Sequence, residues 1–102
     1  MPEQAYRLRL FVTSNSPRSS RAIVNVRRIC EAYLDGFYEL EVIDLLARPE
    51  LARSEQLIAA PTLIKQVPLP ARRFVGDMSR TEQLLLGLDL PAAIPGDQPG
   101  RS

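Results

Sequence analysis

The sequence predicts a single α/β domain built on a four-stranded mixed sheet, with elements in the order strand, helix, strand, short helical turn, two strands and helix. Three observations lead to this prediction. An amphipathic helix separates two segments of alternating apolar residues, which is the pattern of a βαβ unit with parallel strands. Two further strand segments are close enough in sequence to form a hairpin. A leucine-rich segment with a capping signal then predicts a final helix.

The first half of the chain gives the βαβ unit. Apolar residues alternate from Tyr6 to Val12, which predicts the first strand. A helix of about 17 residues follows, with Pro17 at its first position, Asn15 or Ser16 as the cap, and apolar side chains at helical spacing from Ala22 to Leu34. Residues 35–36 (Asp-Gly) end this helix, and a second strand runs from residue 38 to about residue 44.

The second half predicts one helical turn and a hairpin. Residues 49–52 form a single turn with proline at its start. Residues 62–65 and 71–75 read as strands, and the short Pro-Leu-Pro connection at 68–70 makes them an antiparallel pair.

The last helix is predicted from a capping box in which Ser79 caps and Glu82 reaches back. Its apolar side consists of Leu84, Leu85 and Leu88. The helix should end at or before residue 90, because the following proline disfavours helical geometry there. We therefore expect one domain over residues 1–90 and a flexible tail, rich in proline and glycine, over residues 91–102.

Composition excludes several classes of function. With no histidine and one cysteine among 102 residues, the chain cannot form a Ser-His-Asp triad, a Cys-His pair, a Cys/His zinc site or an internal disulfide. A net charge of +1 argues against a nucleic-acid binder. The sequence has neither an apolar run long enough to cross a bilayer nor a secretory signal, so we expect a cytoplasmic protein. We expect no catalytic residues, metal or cofactor.

Two segments resemble the thioredoxin fold. Residues 15–18 (Asn-Ser-Pro-Arg) lead into the long helix where that fold carries its Cys-Gly-Pro-Cys motif, and residues 60–63 (Ala-Pro-Thr-Leu) open the third strand. The resemblance implies a cis peptide bond before Pro61. Both redox cysteines are missing, so dithiol exchange is excluded at this loop. Cys30 lies on the apolar side of the helix and reads as a small core residue; the alternative is a redox or thiol-binding protein using Cys30.

Over about residues 6–90 the sequence resembles the KaiB family of the cyanobacterial circadian clock and its bacterial relatives. The Pro-Leu-Pro-Ala-Arg-Arg stretch at 68–73, followed by Gly-Asp at 76–77, is the most specific part of the match. The other matching segments are residues 8–12, 15–17, 42–45, 60–63 and 87–89.

This resemblance implies a non-enzymatic protein that binds the N-terminal ring of KaiC, a hexameric ATPase. It also implies two folds for one chain: a ground-state α/β fold in dimers and tetramers, and a monomeric thioredoxin-like fold that binds KaiC. Cyanobacterial members capture KaiA and compete with the sensor domain of a clock histidine kinase. Ser14, the segment Pro91-Ala92 and the absence of an acidic tail depart from those members and indicate a paralogue or a non-cyanobacterial relative, many of which work without KaiA.

Two sets of candidate residues follow. Lys65, Arg72 and Arg73 are cations on the paired strands of the hairpin and are candidates for partner docking; the alternative is ordinary surface charge. Gly87 and Asp89 are candidates for the fold switch, because the Gly-Leu-Asp-Leu segment at 87–90 alternates like a strand inside a predicted helix. From helix propensity alone, Gly87→Ala should favour the thioredoxin-like fold.

Overall fold

The first strand of the βαβ unit lies inside the sheet, between the second and third strands. The computed structural model describes residues 5–57 and 60–90. Its sheet has the strand order β2-β1-β3-β4, with β1 parallel to β2 and antiparallel to β3, and with β3 antiparallel to β4. The elements are β1 (Tyr6–Val12), α1 (Pro17–Tyr33), β2 (Tyr38–Asp44), α2 (Glu50–Ser54), β3 (Thr62–Val67), β4 (Arg72–Val75) and α3 (Thr81–Gly87).

This arrangement confirms the predicted α/β fold with a four-stranded mixed sheet. The two strands of the βαβ unit pair in register along their whole length, from Tyr6 opposite Tyr38 to Val12 opposite Asp44. The predicted tail, residues 91–102, lies outside the described residues. None of the described helices combines the length and apolar character needed to span a bilayer.

The helices divide between the two faces of the sheet. The main core lies between one face of the sheet and the helices α1 and α3, and it includes Leu10, Leu63, Val26 and Leu85. A smaller cluster of Phe11, Ile43 and Ile64 lies on the opposite face, where residues 51 and 57, at the start and beyond the end of α2, pack against it. Because α2 buries no residue completely, it is the most weakly packed of the three helices.

The N-terminal ends of α1 and α3 differ in how well the sequence predicts them. Ser16 caps α1, its hydroxyl accepting a hydrogen bond from the Ser19 N–H, and Pro17 is the first helical residue, as predicted. The capping box predicted for α3 is wrong. That helix begins at Thr81, and its N-terminal flanking residue makes no side-chain capping bond. Ser79 lies one residue too early to cap, because Arg80 is the residue directly before the helix, and the Ser79 N–H donates to a carboxylate oxygen of Asp77 at 3.1 Å.

The predicted hairpin is confirmed, with a longer β3 than expected. Lys65 lies opposite Arg72 and Ile64 opposite Arg73 in the antiparallel register. The bond between Ala60 and Pro61, for which the thioredoxin resemblance implies a cis peptide, is cis in the structure, as are the two X-Pro bonds of the connection at 67–70.

The end of α3 is a Schellman-type cap built on a non-glycine residue. The N–H of Leu90 donates to the carbonyl of Leu85 at 2.8 Å, and the N–H of Asp89 donates to the carbonyl of Leu86 at 3.1 Å. Asp89 has a φ of 63°, in the left-handed region that glycine usually occupies. The hydroxyl of Tyr6 donates to the carbonyl of Leu88 at 2.8 Å and fastens this end of α3 to the sheet.

Candidate docking surface

The segment that corresponds to the redox motif of a thioredoxin, residues 15–18, contains no cysteine in this chain. Asn15 and Arg18 occupy the two cysteine positions at the start of α1. Behind them the N–H of Gly76 donates to the carbonyl of Pro61 at 3.0 Å. A Cβ at Gly76 would lie 3.7 Å from the guanidinium of Arg18, so that arginine sits beside the strand end. The backbone arrangement around the redox site is therefore present, but the two thiols that its chemistry requires are missing.

Cys30 does not replace the missing thiols. Its side chain is buried in the main core and lies on the inner side of α1. Burial raises the pKa of the Cys30 thiol to about 12, although the nearby Arg27 acts to lower it. The thiol is therefore protonated at neutral pH and shielded from reagents, which makes it a core residue and not a nucleophile.

The acidic residues of β2 are paired with cations. Glu39 lies 3.6 Å from Arg7, and Glu41 lies 3.4 Å from Arg9, in each case directly across the parallel pair. These carboxylates form a solvated, charge-paired strand face.

The three cations proposed for docking do not form one surface. Lys65 is fully buried, and its ammonium group lies 3.3 Å from a carboxylate oxygen of Asp89. The prediction that Lys65 contributes an accessible charge is therefore wrong. Its side chain points into the face of the sheet covered by α3, where the only acceptor recorded for it among the described residues is this carboxylate.

Arg72 and Arg73 lie on opposite faces of β4, as their adjacent positions in a strand predict. Arg73 donates to the carbonyls of Glu55 and Gln56, at the C-terminal turn of α2. Arg72 is exposed and shares a face with Lys65, its cross-strand neighbour. Arg73 thus holds a helix in place, and Arg72 keeps a charge directed to solvent.

A second arginine, which the sequence did not single out, also grips α2. The guanidinium of Arg9 lies 3.1 Å from the carboxylate of Glu55 and 5.1 Å from the centre of the Phe11 ring. Arg9 and Arg73 therefore hold the same helical turn from two strands. The alternating charges of β1 and β2 were visible in the sequence, but no local pattern links Arg9 to a residue so far along the chain.

The loop between β4 and α3 is fastened to α1 by Asp77. Its carboxylate accepts from the Ser79 N–H and from Arg21, and its carbonyl accepts from the Asn25 amide at 2.8 Å. Hydrogen bonds from Ser79, and then the charge of Arg21, hold the pKa of Asp77 below its usual value. The Gly-Asp signal at 76–77 marked this loop in the sequence without indicating which contacts it makes.

Gly87, one of the two fold-switch candidates, lies against an aromatic ring. A Cβ at Gly87 would lie 2.2 Å from Cε1 of Phe74. The ring, which packs against the main core, therefore occupies the space that any other residue at this position would need. The expectation that Gly87→Ala favours the thioredoxin-like fold is based on helix propensity alone and does not include this contact with Phe74.

Comparison with known proteins agrees with this geometry. The model of the KaiB domain matches residues 9–90. The chain is 52% identical over 83 residues to circadian clock protein KaiB3 of Synechocystis sp., covering 81% of each chain. It is 46% identical over 89 residues to circadian clock oscillator protein KaiB of Synechococcus elongatus, covering 87% of each chain.

Solved structures show the same fold. The N-terminal domain of Synechococcus elongatus SasA superimposes with a TM-score of 0.69 and 26% identity, over 92% of each chain. Mitochondrial thioredoxin 3 of Saccharomyces cerevisiae superimposes with a TM-score of 0.67 and 16% identity, over 86% of this chain and 81% of the thioredoxin, which shows that the fold is thioredoxin-like. With the family model matched along most of its length, this chain belongs to the KaiB family.

Proposed function

We propose that this protein is a non-enzymatic regulator of a clock or of a clock-derived stress-signalling system, which docks on the N-terminal ring of a KaiC-like hexameric ATPase in the cytoplasm. The observation that carries the proposal is the match to the KaiB domain over residues 9–90. Relatives named as circadian clock proteins, at 46–52% identity, support it.

The structure of the redox region supports a binding role over catalysis. Asn15 and Arg18 stand where thiol chemistry needs cysteines, and Cys30 is buried with a raised pKa. A thioredoxin-like frame without its nucleophile retains a shaped surface, which is what a docking protein uses.

The likeness to the SasA N-terminal domain supports a shared docking site on the ATPase. Two proteins with one fold and related surfaces would compete for that site, as the family resemblance implies for a clock histidine kinase. We do not extend the proposal to KaiA, because the sequence at Ser14 and after residue 90 differs from that of the members that capture KaiA.

Of the three cations first considered, Arg72 is the one that is exposed and whose side chain has no partner among residues 5–57 and 60–90. It is exposed at the free edge of the sheet and makes no ion pair with any residue of 5–57 or 60–90. Arg73 contributes by holding α2, and Lys65 by its pair with Asp89. In this proposal Arg72 is the charge that the hairpin presents to the partner. Arg73 and Lys65 position α2 and the end of α3 around it.

We also propose that this chain has a second, ground-state fold that assembles into dimers or tetramers, with Gly87 and Asp89 at the switch. The glycine that ends α3 and the left-handed aspartate two residues later are the two positions where this segment conflicts with local preference. Sizing and NMR spectra recorded over a range of concentrations test this. One set of peaks and one size at every concentration would contradict it.

Affinity capture from the native cytoplasm tests the docking role. The tagged protein is the bait, and a tagged thioredoxin from the same organism is the control, since it shares the fold but not the family. We expect a two-ring ATPase to be enriched by this protein alone. Equal recovery on both baits, or no such ATPase on either, would contradict the proposal.

A further inference from the structure

An open groove of about 560 Å³ lies where β4 ends and the chain turns into α3. Its apolar part includes Phe74, Val75 and Leu84, and the Val75 side chain is 67% exposed. Arg18 borders it on the side of α1, and Arg80 on the side of α3. We call this the β4–α3 groove. An exposed apolar side chain, Val75, between two cations is an arrangement that selects for a partner of matching chemistry.

The charges of the groove are available to a partner. Neither Arg18 nor Arg80 makes a side-chain hydrogen bond or ion pair with any residue in the described ranges 5–57 and 60–90, and both are exposed. The acidic residue of the lining, Asp77, is already engaged by Arg21 and Ser79. The groove therefore presents unpaired positive charge, and complementarity favours a partner segment that carries carboxylates.

The backbone beside the groove is also available. β4 is an edge strand, and Val75 lies opposite Thr62 in the antiparallel register. Because Gly76 donates to Pro61, the alternation of an antiparallel pair turns the N–H and C=O of Val75 away from β3. A strand edge of this kind accepts an extended peptide as an additional strand.

We propose that the β4–α3 groove binds an extended acidic segment of the partner protein, which adds to the free edge of β4 at Val75 and places carboxylates against Arg18 and Arg80. An apolar side chain of the segment packs on the exposed side chain of Val75. This inference rests on the proposed function, since the partner it describes is the KaiC-like ATPase, and it names the surface and the chemistry of the docking segment.

The first test uses a synthetic peptide of alternating glutamate and valine with blocked ends, and a lysine–valine peptide as its control. We expect the acidic peptide to shift the amide resonances of residues 75–80 saturably, and the basic peptide to leave them unchanged. No saturable shift at these amides would overturn the proposal. Shifts at the same amides that follow the concentration of this protein alone would also overturn it, since the occupant would then be a second copy of the chain.

The second test uses charge-reversed variants and the isolated N-terminal ring of the ATPase. The double variant Arg18→Glu/Arg80→Glu should bind the ring at least about tenfold more weakly than the unchanged protein. The matched control is Arg27→Glu/Arg53→Glu, which changes the net charge equally at exposed positions outside the groove lining. Equal weakening in both variants, or none in either, would overturn the groove assignment.

The two tests separate the groove from the proposed function. If the unchanged protein does not bind the ring, the proposed function fails, and the peptide experiment alone decides the groove. If the protein binds the ring and the groove variant binds as well as the control, the function stands and the groove assignment is wrong. None of the four substituted arginine side chains has a hydrogen-bond or ion-pair partner among the described residues. Both variants should therefore keep the NMR dispersion of the folded protein.

Discussion

The ammonium group of Lys65 lies in the core and 3.3 Å from the carboxylate of Asp89, the left-handed residue at the end of α3. Lys65 is 0% exposed, whereas the Asp89 side chain is 53% exposed. The pair joins the middle of the sheet to the helix end, where the Tyr6 hydroxyl also donates to the Leu88 carbonyl. One buried charge therefore depends on a half-exposed residue just beyond the C-terminal end of α3.

Asp89→Asn should destabilise the thioredoxin-like fold by about 1–3 kcal/mol, because it leaves the Lys65 ammonium buried without its counter-charge. Lys65→Met removes the charge while keeping an extended side chain, so Asp89→Asn should cost little in that background. Urea unfolding of the four proteins measures both values. Additive losses in the double variant would show that the two residues do not act as a pair.

Gly87→Ala should lower the stability of this fold by about 1–2 kcal/mol, because the new Cβ overlaps the Phe74 ring and the overlap outweighs a gain in helix propensity of about 0.5–1 kcal/mol. In a Phe74→Ala background the ring is absent, and the same substitution should become stabilising. Thermal unfolding of both pairs gives the sign in each background. If the sign is the same in both, the ring contact does not control this position.

Arg73→Gln should loosen α2 while Arg72→Gln leaves it unchanged, because Arg73 alone of the two donates to the carbonyls at the end of that helix. Hydrogen exchange at residues 55–57, whose N–H groups close the last turn, reports this opening. We expect exchange at least about fivefold faster in the Arg73 variant, which corresponds to roughly 1 kcal/mol. Equal exchange in both variants would show that the clamp contributes nothing measurable.

Cys30 should react with a thiol reagent only after unfolding, because burial raises its pKa to about 12 and encloses the sulfur. Labelling with a disulfide reagent at neutral pH should be slow in buffer and rapid in concentrated guanidinium chloride. In an insulin-reduction assay the protein should match its Cys30→Ser variant. Turnover above that variant would revive a redox role for this thiol.

The local patterns of the sequence predicted the frame of the fold. Alternation in β1 and the apolar stripe of α1 each depend on neighbours a few residues away, so their period identifies them. The same reasoning correctly put Arg72 and Arg73 on opposite faces of one strand. It failed at Ser79, because Asp77 accepts the Ser79 N–H that Glu82 would accept in a capping box, and the helix begins only at Thr81.

The side-chain roles at the candidate site could not be predicted in this way. Lys65 is buried because α3 returns over the sheet and brings Asp89, 24 residues away in sequence, to its ammonium group. Gly87 meets Phe74 for the same reason. A lysine in a strand next to two arginines has the sequence pattern of a surface patch, and only the placement of α3 distinguishes it from one.

Native mass spectrometry of the isolated N-terminal ring of the KaiC-like ATPase, mixed with this protein, tests the central claim most directly. The isolated C-terminal ring is the control. We predict that the N-terminal ring gains mass in steps of one copy of this protein, up to one copy per ring subunit, and that the C-terminal ring gains none. An N-terminal ring that shows no such step, or steps found only on the C-terminal ring, would contradict the account.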